Sequence, residues 1–299
     1  MEKISTTAII NGVADNTISV LDRGLSYGDG VFETMLFIGE DIPLWQLHYD
    51  RLCRGLMALA IPLKPPLLAR QMQAVLASGK SVESERVVVK LIVTRGQGGR
   101  GYQSPEQIKP NLITIFTPLL PDVLSDKGVK VHYCQQQLPP QPLPGIKTLN
   151  QLTYVLASQE RLYCDYKEGL LFNRQGQLIE ATARNVFLVD ENKILLTPKL
   201  DKYGIDGIMR RLIIDTIAPA LDINVKQTVI RKADIVNARE IFLTNSVTQI
   251  WPVVGCDGRQ WHQGSITMAI KHAVSRFLQN ENRFCYRQHK AMRVAAKPD

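Results

Sequence analysis

The sequence predicts an α/β protein of two domains with mostly antiparallel sheets. Three observations carry that prediction. Short apolar runs rich in valine, isoleucine and phenylalanine recur along the chain, separated by glycine, asparagine and aspartate turn signals, which is strand patterning. Several connections between these runs are too short for a helical crossover, so neighbouring strands must run antiparallel. The chain has 299 residues, more than one core usually organises, and its middle holds a proline-containing polar stretch at 117–127. These observations give a smaller α/β domain over residues 1–120, a linker at 121–127 and a larger α/β domain over 128–299.

In the first half, Ala8–Ile10 and residues 31–37 read as strands, the second ending at the turn Gly39-Glu40-Asp41. Residues 47–60 read as a helix, because Leu47, Leu52, Leu56 and Leu59 share one stripe with Arg51 and Arg54 beside it. Pro62, Pro65 and Pro66 stop that helix, and a second follows at 67–77. Two strong β runs come next, Arg86–Thr94 and residues 112–116.

The second half opens with a strand at 129–134, a Gln/Pro-rich loop and a helix at 148–163. Short strands follow at 169–172, 177–179, 186–189 and 194–197. A helix is expected at 208–217, with Asp206 placed to cap it and Pro219 beyond its end. A strand at 240–244 and a helix at 266–278 complete the pattern, and the sequence shows no internal repeat.

Composition narrows the function classes. Hydrophobic residues make up 45% and charged residues 21%, the balance of a soluble globular protein. No apolar run approaches the roughly 20 residues needed to span a bilayer, and the N-terminus lacks a signal-peptide core, so a cytoplasmic location and no membrane partner are expected. The five cysteines are scattered and form no Cys-x-x-Cys pair, so neither a disulfide framework nor a zinc site is indicated, and no metal ligand is assigned. The net charge of +8 is spread along the chain except in the tail, residues 283–297. That tail reads as a solvated end; no nucleic-acid partner is expected, whereas an anionic small molecule suits a basic cleft.

One glycine-rich motif is a decoy. Gly96-Gln97-Gly98-Gly99-Arg100-Gly101 fits G-x-G-x-x-G after a strand, but a dinucleotide site requires a helix immediately afterwards. Here Pro105 and Pro110 forbid one. A flexible loop that brings Arg95 and Arg100 to a carboxylate is the better reading.

The chemistry gathers elsewhere. Lys147, in Pro144-Gly145-Ile146-Lys147-Thr148-Leu149-Asn150, stands at a loop-to-helix junction where helix amides would favour a neutral amine. Glu180 closes an apolar run in Leu178-Ile179-Glu180-Ala181-Thr182-Ala183-Arg184-Asn185. An amine that forms a Schiff base and an acid that pairs with a ring nitrogen are what an aldehyde cofactor needs. The first turn at Ile208 and Met209 offers amides to a phosphate, and Asn245-Ser246 offers a hydroxyl and amides at a strand end. Each feature alone is more often ordinary surface chemistry; the combination is the signal.

Together the motifs resemble the branched-chain aminotransferase-like, fold type IV pyridoxal-phosphate enzymes, a two-domain fold also described as D-amino acid aminotransferase-like. The segment Leu21-Asp22-Arg23-Gly24-Leu25-Ser26-Tyr27-Gly28-Asp29-Gly30-Val31-Phe32-Glu33-Thr34 is similar to that family's N-terminal signature. His48-Tyr49-Asp50-Arg51-Leu52 resembles the segment that supplies a phosphate-binding arginine. The resemblance extends to about Val254 and implies pyridoxal 5'-phosphate as cofactor and a homodimer. It implies Lys147 as the Schiff-base lysine and Glu180 as partner of the pyridine nitrogen, in a segment ending at Asn185. Arg51, Ile208, Met209 and Ser246 would hold the phosphate.

Within the family, Tyr27-Gly28-Asp29-Gly30-Val31-Phe32-Glu33-Thr34 and Thr94-Arg95-Gly96-Gln97-Gly98-Gly99-Arg100-Gly101-Tyr102 look like the 4-amino-4-deoxychorismate lyases of folate biosynthesis. That branch implies conversion of aminodeoxychorismate to 4-aminobenzoate and pyruvate, with Arg100 and Tyr102 gripping substrate carboxylates. The alternatives are a D-amino acid or branched-chain aminotransferase and, from another class, a non-catalytic binding protein on the same scaffold. D-amino acid aminotransferases tend to carry tyrosine at the position of Phe32 and an Arg-x-His trap where this chain has Arg100-Gly101-Tyr102.

Overall fold

The computed structural model describes residues 8–39, 41–79, 86–120, 122, 124–160 and 166–280. The expectations for the tail at 283–297, for residues 161–163 and for Glu40 lie outside the described residues. Two compact units emerge. The first takes residues 8–120 together with Ile146–Asn150; the second takes Pro121–Gly145 and Gln151–Asn280.

The first unit is built on an antiparallel sheet of β1 (Ala8–Ile10), β2 (Val13–Ala14), β3 (Gly30–Ile38), β4 (Arg86–Thr94) and β5 (Asn111–Pro118), in the order β2-β1-β5-β4-β3. A short helix, α1 (Arg23–Tyr27), precedes β3, and two longer ones, α2 (Trp45–Ala58) and α3 (Pro65–Gly79), follow it. Val87, Val89, Leu91 and Val93 alternate along β4 onto one core with Met35, Phe37, Leu52, Leu56, Met72 and Val75. Pro65 and Pro66 do not merely stop α2. They stand in the first turn of α3, where a missing N–H costs nothing.

The second unit contains α4 (Leu124–Lys127), β6 (Val129–Leu138), α5 (Leu152–Gln159), β7 (Glu168–Asn173), β8 (Gln177–Ala181), β9 (Asn185–Val189), β10 (Leu195–Pro198), α6 (Ile208–Leu212) and α7 (Ala218–Ala220). It continues with β11 (Val225–Thr228), β12 (Ile230–Arg231), α8 (Lys232–Asn237), β13 (Glu240–Asn245), β14 (Gln249–Cys256), β15 (Arg259–Gln260) and α9 (Ser265–Asn280). The strand order is β11-β10-β9-β13-β14-β6-β7-β8-β12, with β15 on β14. Most pairs are antiparallel, but β6/β7, β6/β14 and β10/β11 are parallel, so this sheet is mixed. The parallel β6/β7 pair is possible because α5 lies in the long connection between them.

The described residues of the stretch the sequence marks as a linker, 122 and 124–127, pack within the second unit. Asp122 accepts the Trp251 indole N–H at 2.6 Å, and Lys271 Nζ donates to the Ser125 carbonyl at 2.7 Å and the Asp126 carboxylate at 2.8 Å. The helix expected at 208–217 is α-helical only to Leu212 and widens into a π-helical stretch, Ile213–Ile217, before α7. Pro219 lies within α7, and a widened turn accommodates a residue that has no N–H to give. Gly207, not Asp206, is the N-cap of α6; the Asp206 carboxylate lies 3.7 Å from Arg210 and 3.9 Å from Arg211.

Candidate active site

Lys147 belongs to the first unit, where its segment is held against β3. The Phe32 N–H donates to the Lys147 carbonyl at 3.0 Å, the Leu149 N–H donates to the Gly30 carbonyl at 3.0 Å, and Thr148 bridges Val31. These pairings correct the expectation of a helix at 148–163: bound to β3, residues 147–149 cannot coil, and α5 begins at Leu152. No helix amides therefore adjoin the lysine. Its partly buried ammonium instead stands 4.3 Å from the centroid of the Phe32 ring, a cation–π distance. Asn150 anchors the end of the segment by donating to the Gly28 carbonyl at 3.1 Å. Gly28 has φ +65°, and a Cβ there would lie 2.6 Å from the Asn150 side chain, so this position needs glycine twice over.

Beneath β3 lies a buried charged cluster. Val31, Glu33, Met35 and Phe37 share the face turned to α2, and Glu33 is 1% exposed. Arg51 donates to Glu33 through Nε at 2.8 Å and Nη2 at 2.6 Å, while His48 Nδ1 lies 2.7 Å from the same carboxylate. Burial alone would raise the Glu33 pKa, but the Arg51 charge and hydrogen bonds, followed by those of His48, lower it to about 2. The pKa of His48 is lowered, chiefly by burial, with the charges of Arg51 and Lys147 adding to the effect. Arg51 is thus a buried member of the α2 face, locked to Glu33, rather than a residue beside the apolar stripe.

The loop expected to carry substrate-binding arginines has a different internal logic. Arg95 is buried and committed to Asp29 through Nε at 2.7 Å and Nη2 at 3.1 Å, and it also donates to the carbonyls of Leu59 and Ala60. It cannot swing toward a ligand. Arg23, which the sequence reading passed over, gathers the loop: it donates to the carbonyls of Gly98, Gly101, Tyr102 and Gln103 and pairs with Asp29 at 2.9 Å. Loop positions 97–103 are thereby pinned from within, not flexible links. Arg100 is exposed, and Tyr102 is 89% exposed with its ring edge-on to Tyr27 at 5.6 Å.

Glu180 sits in the second unit, at 3% exposure on β8. Its Oε1 accepts the Tyr154 hydroxyl at 2.5 Å; its Oε2 accepts the Ile205 N–H at 3.1 Å and the Asn185 Nδ2–H at 3.2 Å. Three donors satisfy and orient this buried carboxylate. Tyr154 in turn accepts from Gln141 Nε2 at 2.9 Å. Burial first, and then the Glu180 charge, push the Tyr154 pKa up, so its hydroxyl stays protonated as a donor. Asn185, a candidate cofactor contact, positions Glu180 and ties it to the 205 loop through the Ile205 carbonyl at 2.9 Å. Tyr154 and Gln141 had no local sequence signal.

The phosphate candidates of the second unit are two chain turns. Gly207 precedes Ile208 and Met209 with no side chain capping the helix, so the first-turn amides keep their donor capacity. Ser246 lies in the turn between β13 and β14, shaped by Asn245 Oδ1, which accepts from the N–H groups of Val247 and Thr248. Arg184, also missed, stacks 3.4 Å over the Trp251 ring and donates to the Thr248 hydroxyl at 2.6 Å.

Residues 30–256 match the model of the amino-transferase class IV family. The chain belongs to that family. It is 32% identical over 263 residues to a Methanocaldococcus jannaschii relative bearing the name of a branched-chain-amino-acid aminotransferase, covering 86% of this chain and 90% of the relative. It is 30% identical over 252 residues to an aminodeoxychorismate lyase of Vibrio harveyi, covering 82% and 90%. Among solved structures, 4-amino-4-deoxychorismate lyase from Pseudomonas aeruginosa superposes with a TM-score of 0.83 at 33% identity, covering 89% of this chain and 97% of that one. A hypothetical aminotransferase from Mycobacterium tuberculosis has been solved in a PLP-bound form; at 20% identity it speaks for the fold. The family's cofactor is pyridoxal 5'-phosphate, and the residue types present fit it: an amine over an aromatic ring, a buried and fully hydrogen-bonded acid, and uncapped amides for a phosphate. No helix among the described residues is long and apolar enough to cross a membrane.

Proposed function

We propose that this protein is a lyase that converts 4-amino-4-deoxychorismate to 4-aminobenzoate and pyruvate. The observation that carries the reading is the setting of Lys147: its ammonium faces the plain phenyl ring of Phe32, where D-amino acid aminotransferases tend to present a tyrosine. The likeness to the Pseudomonas aeruginosa lyase over nearly its whole length supports it.

Bound pyridoxal phosphate supplies an electron sink for the carbon next to the substrate nitrogen. Lys147 would hold the cofactor, and its amine is the base that takes the proton from the substrate carbon bearing the amine. As the enolpyruvyl C–O bond breaks and the ring becomes aromatic, the departing oxygen takes a proton from Lys147 or from water. Glu180, oriented by Tyr154, Ile205 and Asn185, would pair with the pyridine nitrogen of the cofactor and keep it protonated. Arg51, oriented by its pairing with Glu33, and the amides of Ile208, Met209 and Ser246 would bind the phosphate, and Arg100 and Tyr102 would grip substrate carboxylates. The assembly is a homodimer, and the anionic substrate suits a chain of net charge +8.

A second reading, a branched-chain or D-amino acid aminotransferase, is favoured by the identity to the Methanocaldococcus jannaschii relative. One experiment separates them. The purified protein with pyridoxal phosphate is given aminodeoxychorismate while 4-aminobenzoate fluorescence is followed, and in parallel an amino donor with branched-chain 2-oxo acids. 4-Aminobenzoate formation without keto-acid amination is the expected result. The reverse result overturns the lyase reading.

A further inference from the structure

A cluster outside the residues discussed so far has the composition of a metal site. His132 and Cys134 lie two apart on β6 and so project to the same face of the strand, and Glu160 caps the far end of α5. Their candidate ligand atoms all lie within 4.8 Å of one another: His132 Nε2 is 3.8 Å from Cys134 Sγ and 3.8 Å from the Glu160 carboxylate. At 3.8 Å the imidazole and carboxylate are too far apart for a direct hydrogen bond. The two separations from His132 are slightly wider than the roughly 3.4–3.6 Å edges of a tetrahedron with zinc–nitrogen, zinc–oxygen and zinc–sulfur bonds of ordinary length.

Three features show that the surroundings accommodate the cluster. Gly169 on β7 is the strand partner of His132, and its missing side chain makes the room. A Cβ at Gly169 would stand 2.3 Å from Cys134 Sγ and 2.9 Å from the His132 ring. The Glu160 carboxylate is aimed by two backbone donors, the N–H groups of Gln135 and Gln136, each at 2.8 Å. His132 Nδ1 is buried without a partner among the described residues. Solvation of the three groups is therefore already reduced before any ion arrives, which lowers the cost of replacing water by metal.

We propose that His132, Cys134 and Glu160 bind a borderline-soft divalent cation of the Zn2+ or Co2+ class, clamping β6 to the end of α5. Imidazole, thiolate and carboxylate together select such ions over Mg2+ or Ca2+, which take oxygen ligands. The site does not depend on the lyase reading.

The test uses the full-length cofactor-loaded protein after dialysis against EDTA. Calorimetric titration with ZnCl2 is expected to give one ion per chain, weakened about 100-fold or more in Cys134→Ser and His132→Ala. CoCl2 is expected to produce a near-ultraviolet thiolate-to-cobalt band, read as a difference spectrum before and after the ion. No stoichiometric uptake by the native chain, no thiolate band with cobalt, or equal affinity in both variants overturns the proposal. Circular dichroism checks that the variants fold; if either does not, the native chain's stoichiometry and cobalt spectrum decide alone.

Discussion

Tyr154→Phe deletes a single oxygen atom, and with it the shortest of the three hydrogen bonds to Glu180. A hydrogen bond to a buried charged acceptor is worth about 1.5–3 kcal/mol. Losing it makes the carboxylate a better proton acceptor by a factor of roughly 10 to 100. A more basic Glu180 draws the shared proton away from the pyridine nitrogen, the electron sink weakens, and proton removal by Lys147 slows. The expected loss in kcat is about 10- to 100-fold, with cofactor content preserved because Lys147 and the phosphate contacts are untouched. The assay is 4-aminobenzoate release under saturating substrate, run beside Gln141→Ala. That control removes the donor to the Tyr154 oxygen but leaves the hydroxyl on Glu180, and should cost much less. If Tyr154→Phe turned over within about twofold of the native rate, the hydroxyl would not tune Glu180 and the argument would fail.

Three further outcomes follow from the same geometry. Lys147→Ala should lose the visible absorbance of lysine-bound cofactor, and borohydride reduction followed by peptide mapping should tag Lys147 alone in the native chain. Acid should unfold the first unit earlier than ordinary carboxylates predict. Glu33 is lowered from 4.5 to about 2, so its stabilisation is complete above 4.5 and lost as pH falls toward 2; it amounts to about 3 kcal/mol. His48, lowered from 6.5, acts in the same direction from below 6.5, because the unfolded chain takes up its proton first. Thermal midpoints against pH check this, and Glu33→Gln should flatten the lower part of the profile. Arg23→Met should cost at least about 2 kcal/mol, since it strips four carbonyls and Asp29 of their shared donor, and should open the bonds at 98–103 to limited proteolysis.

Much of the fold could be read from local pattern, because the apolar period is a local property. Arg86–Thr94 alternates so regularly that its strand state and buried face follow from the sequence alone. The misreadings occur where tertiary pairing overrides local signals. Residues 148 and 149 lead directly into a helical run, yet β3 captures their backbone. Residues 249–256 contain Pro252, which argues against a central strand. The strand β14 nonetheless forms between β13 and β6, because pairing with β6 begins only at Val253, past the residue with no N–H to offer.

The candidate site divides along the same line. Lys147 and Glu180 could be picked out because each lies in a short segment whose residue types and spacing resemble a family motif. The residues that set their properties could not. Tyr154 meets Glu180 across 26 residues and Arg23 meets the Gly-rich loop across more than 70. Nothing in a tyrosine on a helix or an arginine in a short helix announces such partners. The motif residues are the proposed reacting groups, while the orientation of Glu180 comes from donors that only the fold brings within 3 Å. For that reason the tuning residues, and not the motif residues, are where substitutions should separate the chemistry of this chain from that of its aminotransferase relatives. A change at Lys147 would silence lyase and aminotransferase alike, whereas a change at Tyr154 or Phe32 alters how strongly the same proton is pulled and what the freed amine faces.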